Sequence, residues 1–376
     1  MFAGAANDNL VKTAFVVAIT TLSWDLFGFD AITLANLAAL CFILPFIIFA
    51  SQAAHRAKQL EPKRWLLVLK LIELTLAAVA AIAIYQKAGW LLLACIAGFG
   101  IQSAFIGPLK YSLIPKLARQ EQLLEKNAWM ESATFVAILI GTLIGADWII
   151  DSQLFLVGLI ALLSITGIVG ACLIPKLPAS SDQPQHTISQ LIHRQRSDPR
   201  AMSAIWCISG FWGLGSVWLT HLPSLAVDIW QLSANSVGIL LSYFVAGIAM
   251  GAFAGVFSER ISLTVRVMSG SVFMIIGGLL IQTGTYEFAP YALLLTSAGG
   301  GYLALPLYTR LQDDHQEVAD RIAVNNIANA MMIVLTAVAS IIAVAGFGLS
   351  LLIWLLILSF GQLLLCLYHR RNLSLS

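Results

Sequence analysis

Twelve apolar runs, each about long enough to cross a bilayer, follow one another along this chain of 376 residues. That repetition leaves few folds open, because a membrane-spanning helix needs about 20 mostly apolar residues and few other structures satisfy the backbone in lipid. The runs fall near 1–22, 31–54, 65–85, 90–115, 129–149 and 153–174, then near 201–220, 233–257, 263–285, 288–309, 322–345 and 347–368. Composition agrees: 59% of residues are hydrophobic and 11% charged, with mean hydropathy +0.87. Soluble domains carry roughly 25% charged residues. A water-soluble body of this composition would expose too much apolar surface, so the expectation is an all-α membrane protein of about twelve spans.

The one long polar stretch separates the two sets of six. It runs from Pro175 to Arg200, rich in Pro, Ser, Gln and basic residues, and reads as a linker with a short surface helix. The expected organisation is therefore an N-terminal six-helix half (1–174), a linker (175–200) and a C-terminal six-helix half (201–376). Basic residues orient the spans, because Lys and Arg concentrate in cytoplasmic loops. Seventeen of the 21 Lys and Arg fall on one side: Arg56 to Arg64, Lys116 to Lys126, the linker, Arg260 and Arg266, Arg310 and Arg321, and Arg370 and Arg371. The opposite loops hold Lys87 and acids such as Asp25, Asp30, Asp151, Asp228 and Glu287. Both termini and the linker are thus expected in the cytoplasm. No basic segment precedes a small-residue cleavage site near the start, so no cleavable signal peptide is expected.

Six charges lie inside these runs: Asp8, Lys12, Lys70, Glu73, Lys110 and Glu131. Each costs roughly 2.5–3.5 kcal/mol at mid-helix and must be paired or face a polar cavity. Asp8 and Lys12 are four apart, and Lys70 and Glu73 three apart, so both pairs fit ion pairs along one helix. Lys110 and Glu131 have no such neighbour and are expected to meet partners across helices or in a cavity. Lys110 follows Pro108 in Gly107-Pro-Leu-Lys-Tyr-Ser112, where the proline interrupts the backbone ladder and a cation beside the break suits an anion. The second set offers uncharged candidates, Asn325, Asn326 and Asn329, and a stripe of Gly247, Gly251 and Gly255 that allows close helix approach. Asparagine amides in such positions either bind ligand or join helices.

Nothing in the chain suggests bond-making chemistry. There is no phosphate-binding Gly-x-x-x-x-Gly-Lys-Ser/Thr loop, no His-x-x-x-x-Asp acyltransferase pattern, no Gly-x-Ser-x-Gly elbow and no zinc spacing. Cys41, Cys95, Cys172, Cys207 and Cys366 sit singly in apolar runs, as packing residues do. The net charge of +2 gives no reason to expect a nucleic-acid partner, and no metal or cofactor is expected.

Six spans, a cytoplasmic linker and six more spans describe the major facilitator architecture. The segment Gly255-Val-Phe-Ser-Glu-Arg-Ile-Ser262 resembles the signature that such transporters place between their second and third helices. Closer still, Ala3-Gly-Ala-Ala-Asn-Asp-Asn-Leu10, Gly107-Pro-Leu-Lys-Tyr-Ser112, Asn127-Ala-Trp-Met-Glu-Ser-Ala-Thr134, Ile138-Leu-Ile-Gly-Thr142, Leu305-Pro-Leu-Tyr308 and Arg321-Ile-Ala-Val-Asn-Asn-Ile-Ala-Asn-Ala330 resemble lysophospholipid transporters of the LplT type. They also resemble the transporter domain fused to acylglycerophosphoethanolamine acyltransferases.

The resemblance implies a flippase in the bacterial inner membrane that moves lysophospholipid, chiefly lysophosphatidylethanolamine, inward for reacylation. Its partners would be membrane lipids and a cytoplasmic acyltransferase/acyl-ACP synthetase. The implied substrate-binding set is Asp8, Asn9, Lys70, Lys110, Asn127, Glu131, Asn325 and Asn326. In it Asp8 or Glu131 receives the ammonium and Lys70 or Lys110 the phosphate. Three departures accompany it. Ala54-His-Arg-Ala-Lys58 has a base where the pattern has an acid, so the usual charge latch of that corner is not expected in its usual form. Seven residues precede Asp8, half a helix fewer than the pattern implies, which reads as a shortened or misassigned start. The seventh run, Gly210 to Thr220, lacks the family's arginine. Two other readings share the architecture: a multidrug or metabolite exporter, and a non-transporting membrane partner of an acyltransferase.

Overall fold

The computed structural model describes residues 1–20, 22, 24, 26, 28–29, 31–179, 184–232 and 236–374, without the side chains of 31 and 32. Two of the acids assigned to outer loops, Asp25 and Asp30, lie outside the described residues. Among the described residues all regular structure is helical. Fifteen α-helices occur in chain order: α1 (Phe2–Thr20), α2 (Ala31–Ile43), α3 (Pro45–Ile48), α4 (Ala50–Gln59), α5 (Pro62–Tyr85), α6 (Gly89–Leu117), α7 (Leu123–Asp151), α8 (Gln153–Leu173), α9 (Ile188–Arg196), α10 (Pro199–Ser224), α11 (Ser236–Phe257), α12 (Leu263–Leu280), α13 (Ala289–Leu311), α14 (Val318–Ser340) and α15 (Leu351–Leu373). Ten of them, with their 3-10 and π extensions, are long and apolar enough to cross a membrane, or eleven with the bent α2–α4 segment as one span. Helix α1 brings the total to twelve; its Asn7, Asp8, Asn9 and Lys12 lower its hydropathy below that of the others.

The helices start where polar caps meet apolar runs. Glu61 accepts from the backbone N–H of Lys63 (3.2 Å) and Arg64 (3.0 Å), with Pro62 opening α5. Its carboxylate also accepts from the N–H of Leu177 at 3.3 Å, which ties the cap to the start of the linker. Asp198 caps α10 in the same way, through Arg200 and Ala201. The short helix expected in the linker is α9.

The structure alters three sequence expectations. The second run is not one straight helix: it bends by 55° between Thr33–Ile48 and Ala50–Gln59. Pro45 removes an N–H and crowds the turn before it, and Phe49 leaves helical dihedrals (φ −98°, ψ 7°). Conversely, α6 continues through Pro108 and Pro115, and the Ser112 hydroxyl donates to the Pro108 carbonyl at 2.7 Å. Two further charges also lie within spans, Asp147 of α7, which is exposed, and Arg266 in the first turn of α12, which is half-buried.

Contacts group the chain into two compact units. The first comprises Met1–Leu117, Val136–Leu191 and His315–Asn326; the second comprises Ala118–Phe135, Ile192–Asp314 and Ile327–Ser376. In the first, α5 packs against α6 and α8, and α1 against α2, α6 and α8, around a core that includes Leu10, Phe15, Ile84, Phe99, Ile149 and Ile160. Gly141 and Gly145 of α7 bring that helix backbone to backbone with α1: a Cβ at either would overlap the carbonyl of Ala6 or Leu10. In the second unit α13 packs along α11 and α12. The expected small-residue stripe is part of the reason, since Gly247 and Gly251 leave room for Leu294 and Ala298 of α13.

Candidate functional site

A chain of buried polar side chains crosses three helices of the first unit. Lys70 of α5 pairs with Glu73 one turn on, at 2.5 Å, with both side chains almost wholly buried. The Gln102 amide of α6 donates to the same Glu73 oxygen at 3.0 Å. Ser103 donates to Asp8 of α1 at 2.5 Å and lies 3.4 Å from the Gln102 carbonyl oxygen. One connected path therefore runs Asp8–Ser103–Gln102–Glu73–Lys70.

Two glycines make the path possible. A Cβ at Gly4 would come within 2.8 Å of the Lys70 ammonium, and one at Gly167 within 3.0 Å of its stem. The lysine thus threads between α1 and α8 in a slot only hydrogen-sized side chains leave open. Asn7 fastens the same stretch of α1 to α8, donating to Ser164 Oγ (2.8 Å) and the Ile160 carbonyl (3.2 Å). The path is not saturated: Asp8 Oδ1, Glu73 Oε1 and Asn7 Oδ1 are buried without a hydrogen-bond partner among the described residues. Buried polar atoms are nearly always paired, so these oxygens have spare capacity for donors.

Of the two ion pairs read along single helices, Lys70–Glu73 forms. The hydrogen bonds of Asp8 and Lys12 go elsewhere: Lys12 donates to Asn9 at 3.0 Å and lies 5.2 Å from the centroid of the Phe42 ring, while Asp8 takes Ser103. Asn9 also donates to the Ala5 carbonyl at 2.8 Å. Lys110 is half-buried, with its ammonium 4.7 Å from the centroid of the neighbouring Tyr111 ring.

The first turns of α14 belong to the same unit. Asp320 is fully buried and pairs with Lys58 at 2.7 Å. The base that breaks the expected acidic pattern, in the last turn of α4, therefore has its counter-charge, with the polarity reversed. Asn325 is wholly buried and neither amide atom has a partner among the described residues; Asn326 approaches Gly107 of α6, where a Cβ would lie 2.8 Å from its Nδ2.

Two of the expected binding residues lie in the second unit. Asn127 of α7 is fully buried in a reciprocal amide clasp with Gln312, 2.9 Å in each direction, with Thr309 at 3.3 Å. Its amide is occupied in joining α7 to the end of α13. Glu131 is buried one turn further along α7. One more turn on, Phe135 stacks on Trp212 of α10, whose indole N–H donates to the Tyr308 hydroxyl at 2.8 Å. Asn329 accepts from Ser209 at 2.8 Å.

Sequence reasoning passed over Gln102, Ser103, Asp320 and Gln312. The first two carry a legible signal: a Gln-Ser pair in the middle of the apolar run Cys95-Ile-Ala-Gly-Phe-Gly-Ile-Gln-Ser-Ala-Phe-Ile106. Among the described residues no cluster of His, Cys, Asp and Glu is arranged to hold a metal ion.

The family profile described as Major Facilitator Superfamily matches residues 1–337. Curated relatives include the lysophospholipid transporter LplT of Shigella dysenteriae serotype 1, 28% identical over 379 residues that cover 90% of this chain and 91% of that protein. LplT of Serratia proteamaculans is 26% identical, with 88% of each chain covered. Among solved structures, the transporter FucP in its outward conformation superposes with TM-score 0.73 at 13% identity, over 100% of this chain and 99% of that one. A bacterial homologue of the iron transporter ferroportin gives TM-score 0.71, also at 13% identity, over 99% and 97%. Likeness at that identity speaks to fold alone.

Proposed function

This chain belongs to the major facilitator superfamily, and on that premise we propose that it is a secondary transporter that moves lysophospholipids, chiefly lysophosphatidylethanolamine, across a bacterial inner membrane for reacylation. The observation that carries the reading is the buried path from Asp8 to Lys70, which holds both signs of charge at membrane depth and retains unmet acceptors on Asp8 and Glu73. Relatives of matching length named as lysophospholipid transporters support the choice of substrate. A zwitterionic head group needs an acceptor for its ammonium and a cation for its phosphate. In this reading Asp8 and Glu131 receive the ammonium, Lys70 and Lys110 the phosphate, and Asn9, Asn325 and Asn326 complete the polar lining. Asn127 is engaged by Gln312 and contributes to packing instead.

The chain is organised as halves 1–174 and 201–376 joined by the linker 175–200, with both termini in the cytoplasm. The acyl chain stays in lipid while the head group crosses by alternating access. No coupling ion is needed, because a cytoplasmic acyltransferase/acyl-ACP synthetase that consumes the product keeps transfer downhill. The test is uptake of labelled lysophosphatidylethanolamine by spheroplasts that lack their own transporter. Uptake appears with this protein and is lost in Lys110→Ala and in Glu131→Ala, both still folded and inserted. Absence of uptake by the folded wild type refutes the reading and leaves an exporter of small amphiphiles, or a non-transporting partner, in its place.

A further inference from the structure

Asn325 is wholly buried, and neither its carbonyl oxygen nor its amide nitrogen has a hydrogen-bond partner among the described residues. A buried amide left so costs about 1–3 kcal/mol for each unmet group, and native proteins rarely keep one without a use. A partner that satisfies this amide donates to the oxygen and accepts from the nitrogen. A hydroxyl does both with one oxygen atom.

The surroundings narrow the choice of hydroxyl. Asn326, next in the chain, comes up against Gly107 of α6. Gly107 and Lys110 are three residues apart on one helix and so share a face. Asn326 thus approaches the turn of α6 that carries the Lys110 cation, and Asn325 lies in the same turn of α14, about 100° round the helix from it. A phosphate held by Lys110 would present its neighbouring atoms to α14. In a 1-acyl lysophospholipid the carbon beside the phosphate-bearing carbon carries the free glycerol hydroxyl, the group whose esterification makes an ordinary diacyl phospholipid.

We propose that Asn325 is a specificity-determining residue that reads the free glycerol hydroxyl of a monoacyl phospholipid. The proposal rests on the lysophospholipid reading above and deepens it. A site built to hydrogen-bond a hydroxyl rejects the analogue that lacks it, because the buried amide then stays unpaired throughout transport.

The experiment compares 1-acyl lysophosphatidylethanolamine with its 2-deoxy analogue, which keeps the head group and single chain and lacks only the hydroxyl. Transport by the purified full-length protein in vesicles is measured for wild type and for Asn325→Leu. Wild type is expected to carry the natural lipid with a kcat/KM at least about 100-fold above the deoxy analogue. Asn325→Leu is expected to carry both within a few-fold of each other. Equal handling of the two lipids by wild type overturns the inference while leaving the proposed function standing, and marks the amide as a site for ordered water. Discrimination retained in Asn325→Leu overturns it equally. Transport of neither lipid by folded wild type overturns the proposed function and this inference together. Should Asn325→Leu fail to fold, Asn325→Ala is read by the same criterion, and the wild-type comparison needs no variant.

Discussion

The Lys70–Glu73 pair gives a prediction in which structural and functional roles separate. Both side chains are at most 3% exposed, the ions are 2.5 Å apart, and Gln102 supplies a second hydrogen bond to the carboxylate. Removing one ion leaves the other buried without compensation, which costs about 3–5 kcal/mol. Lys70→Met and Glu73→Leu are therefore each expected to destabilise the fold by that amount, or about 6–10 kcal/mol if the two were independent. The double variant Lys70→Met/Glu73→Leu removes both charges. It leaves the Gln102 amide with only its longer hydrogen bond to the Leu69 carbonyl, at 3.5 Å, a loss of about 1–3 kcal/mol. The cycle should accordingly show a coupling of several kcal/mol, measured by reversible unfolding in mixed detergent micelles followed by tryptophan fluorescence. Additive single effects would refute the argument, since they would mean that the two charges do not compensate one another in the fold. The same double variant, still folded, is then assayed for uptake: loss of uptake makes the pair part of the binding site, and full uptake makes it scaffold.

Other expectations follow from single contacts. Gly141→Ala should push α1 away and cost about 1–3 kcal/mol, whereas Gly158→Ala on α8, where nothing lies within 4 Å, should be nearly neutral in the same unfolding assay. Asp320→Asn strands the buried Lys58 ammonium and should cost about 3–5 kcal/mol, while Asp320→Leu with Lys58→Met should recover most of that loss. Slight burial raises the Glu61 carboxyl, but the N–H donors of Arg64, Leu177 and Lys63 outweigh it and hold the group below the usual glutamate range. Its contribution is then complete above that range and lost as the pH falls through the lowered value. Glu61→Ala should cost about 1 kcal/mol at neutral pH and less in acid, read as the difference in unfolding midpoint between the two conditions.

The spans were legible because lipid imposes a simple rule: a backbone that crosses it must be helical and apolar over about 20 residues. Hydropathy alone located the runs that became α5 to α8 and α10 to α15, and it singled out the six intramembrane charges that drew attention to the site. Short motifs such as Ala3 to Leu10 and Arg321 to Ala330 were enough to suggest a relationship, which the profile match over residues 1–337 places at the level of the superfamily. Spacing along one helix also anticipated Lys70–Glu73, since residues three apart are neighbours wherever the helix lies.

What hydropathy and spacing could not supply is the identity of partners far apart in the chain. Asp8 meets Ser103, Asn127 meets Gln312 and Lys58 meets Asp320, the last separated by 262 positions. Each pairing depends on which faces of packed helices come together, and a run of Leu, Ile and Ala does not encode that locally. The slot for Lys70 is of the same kind. Gly4 and Gly167 look like ordinary packing glycines in the sequence, and only the crossing of α1 and α8 over α5 turns them into its walls. The sequence by itself determined a helical membrane chain with charges it had to neutralise. The tertiary structure decided which charges neutralise each other, and so which polar atoms, on Asp8, Glu73 and Asn325, are left with bonds to offer.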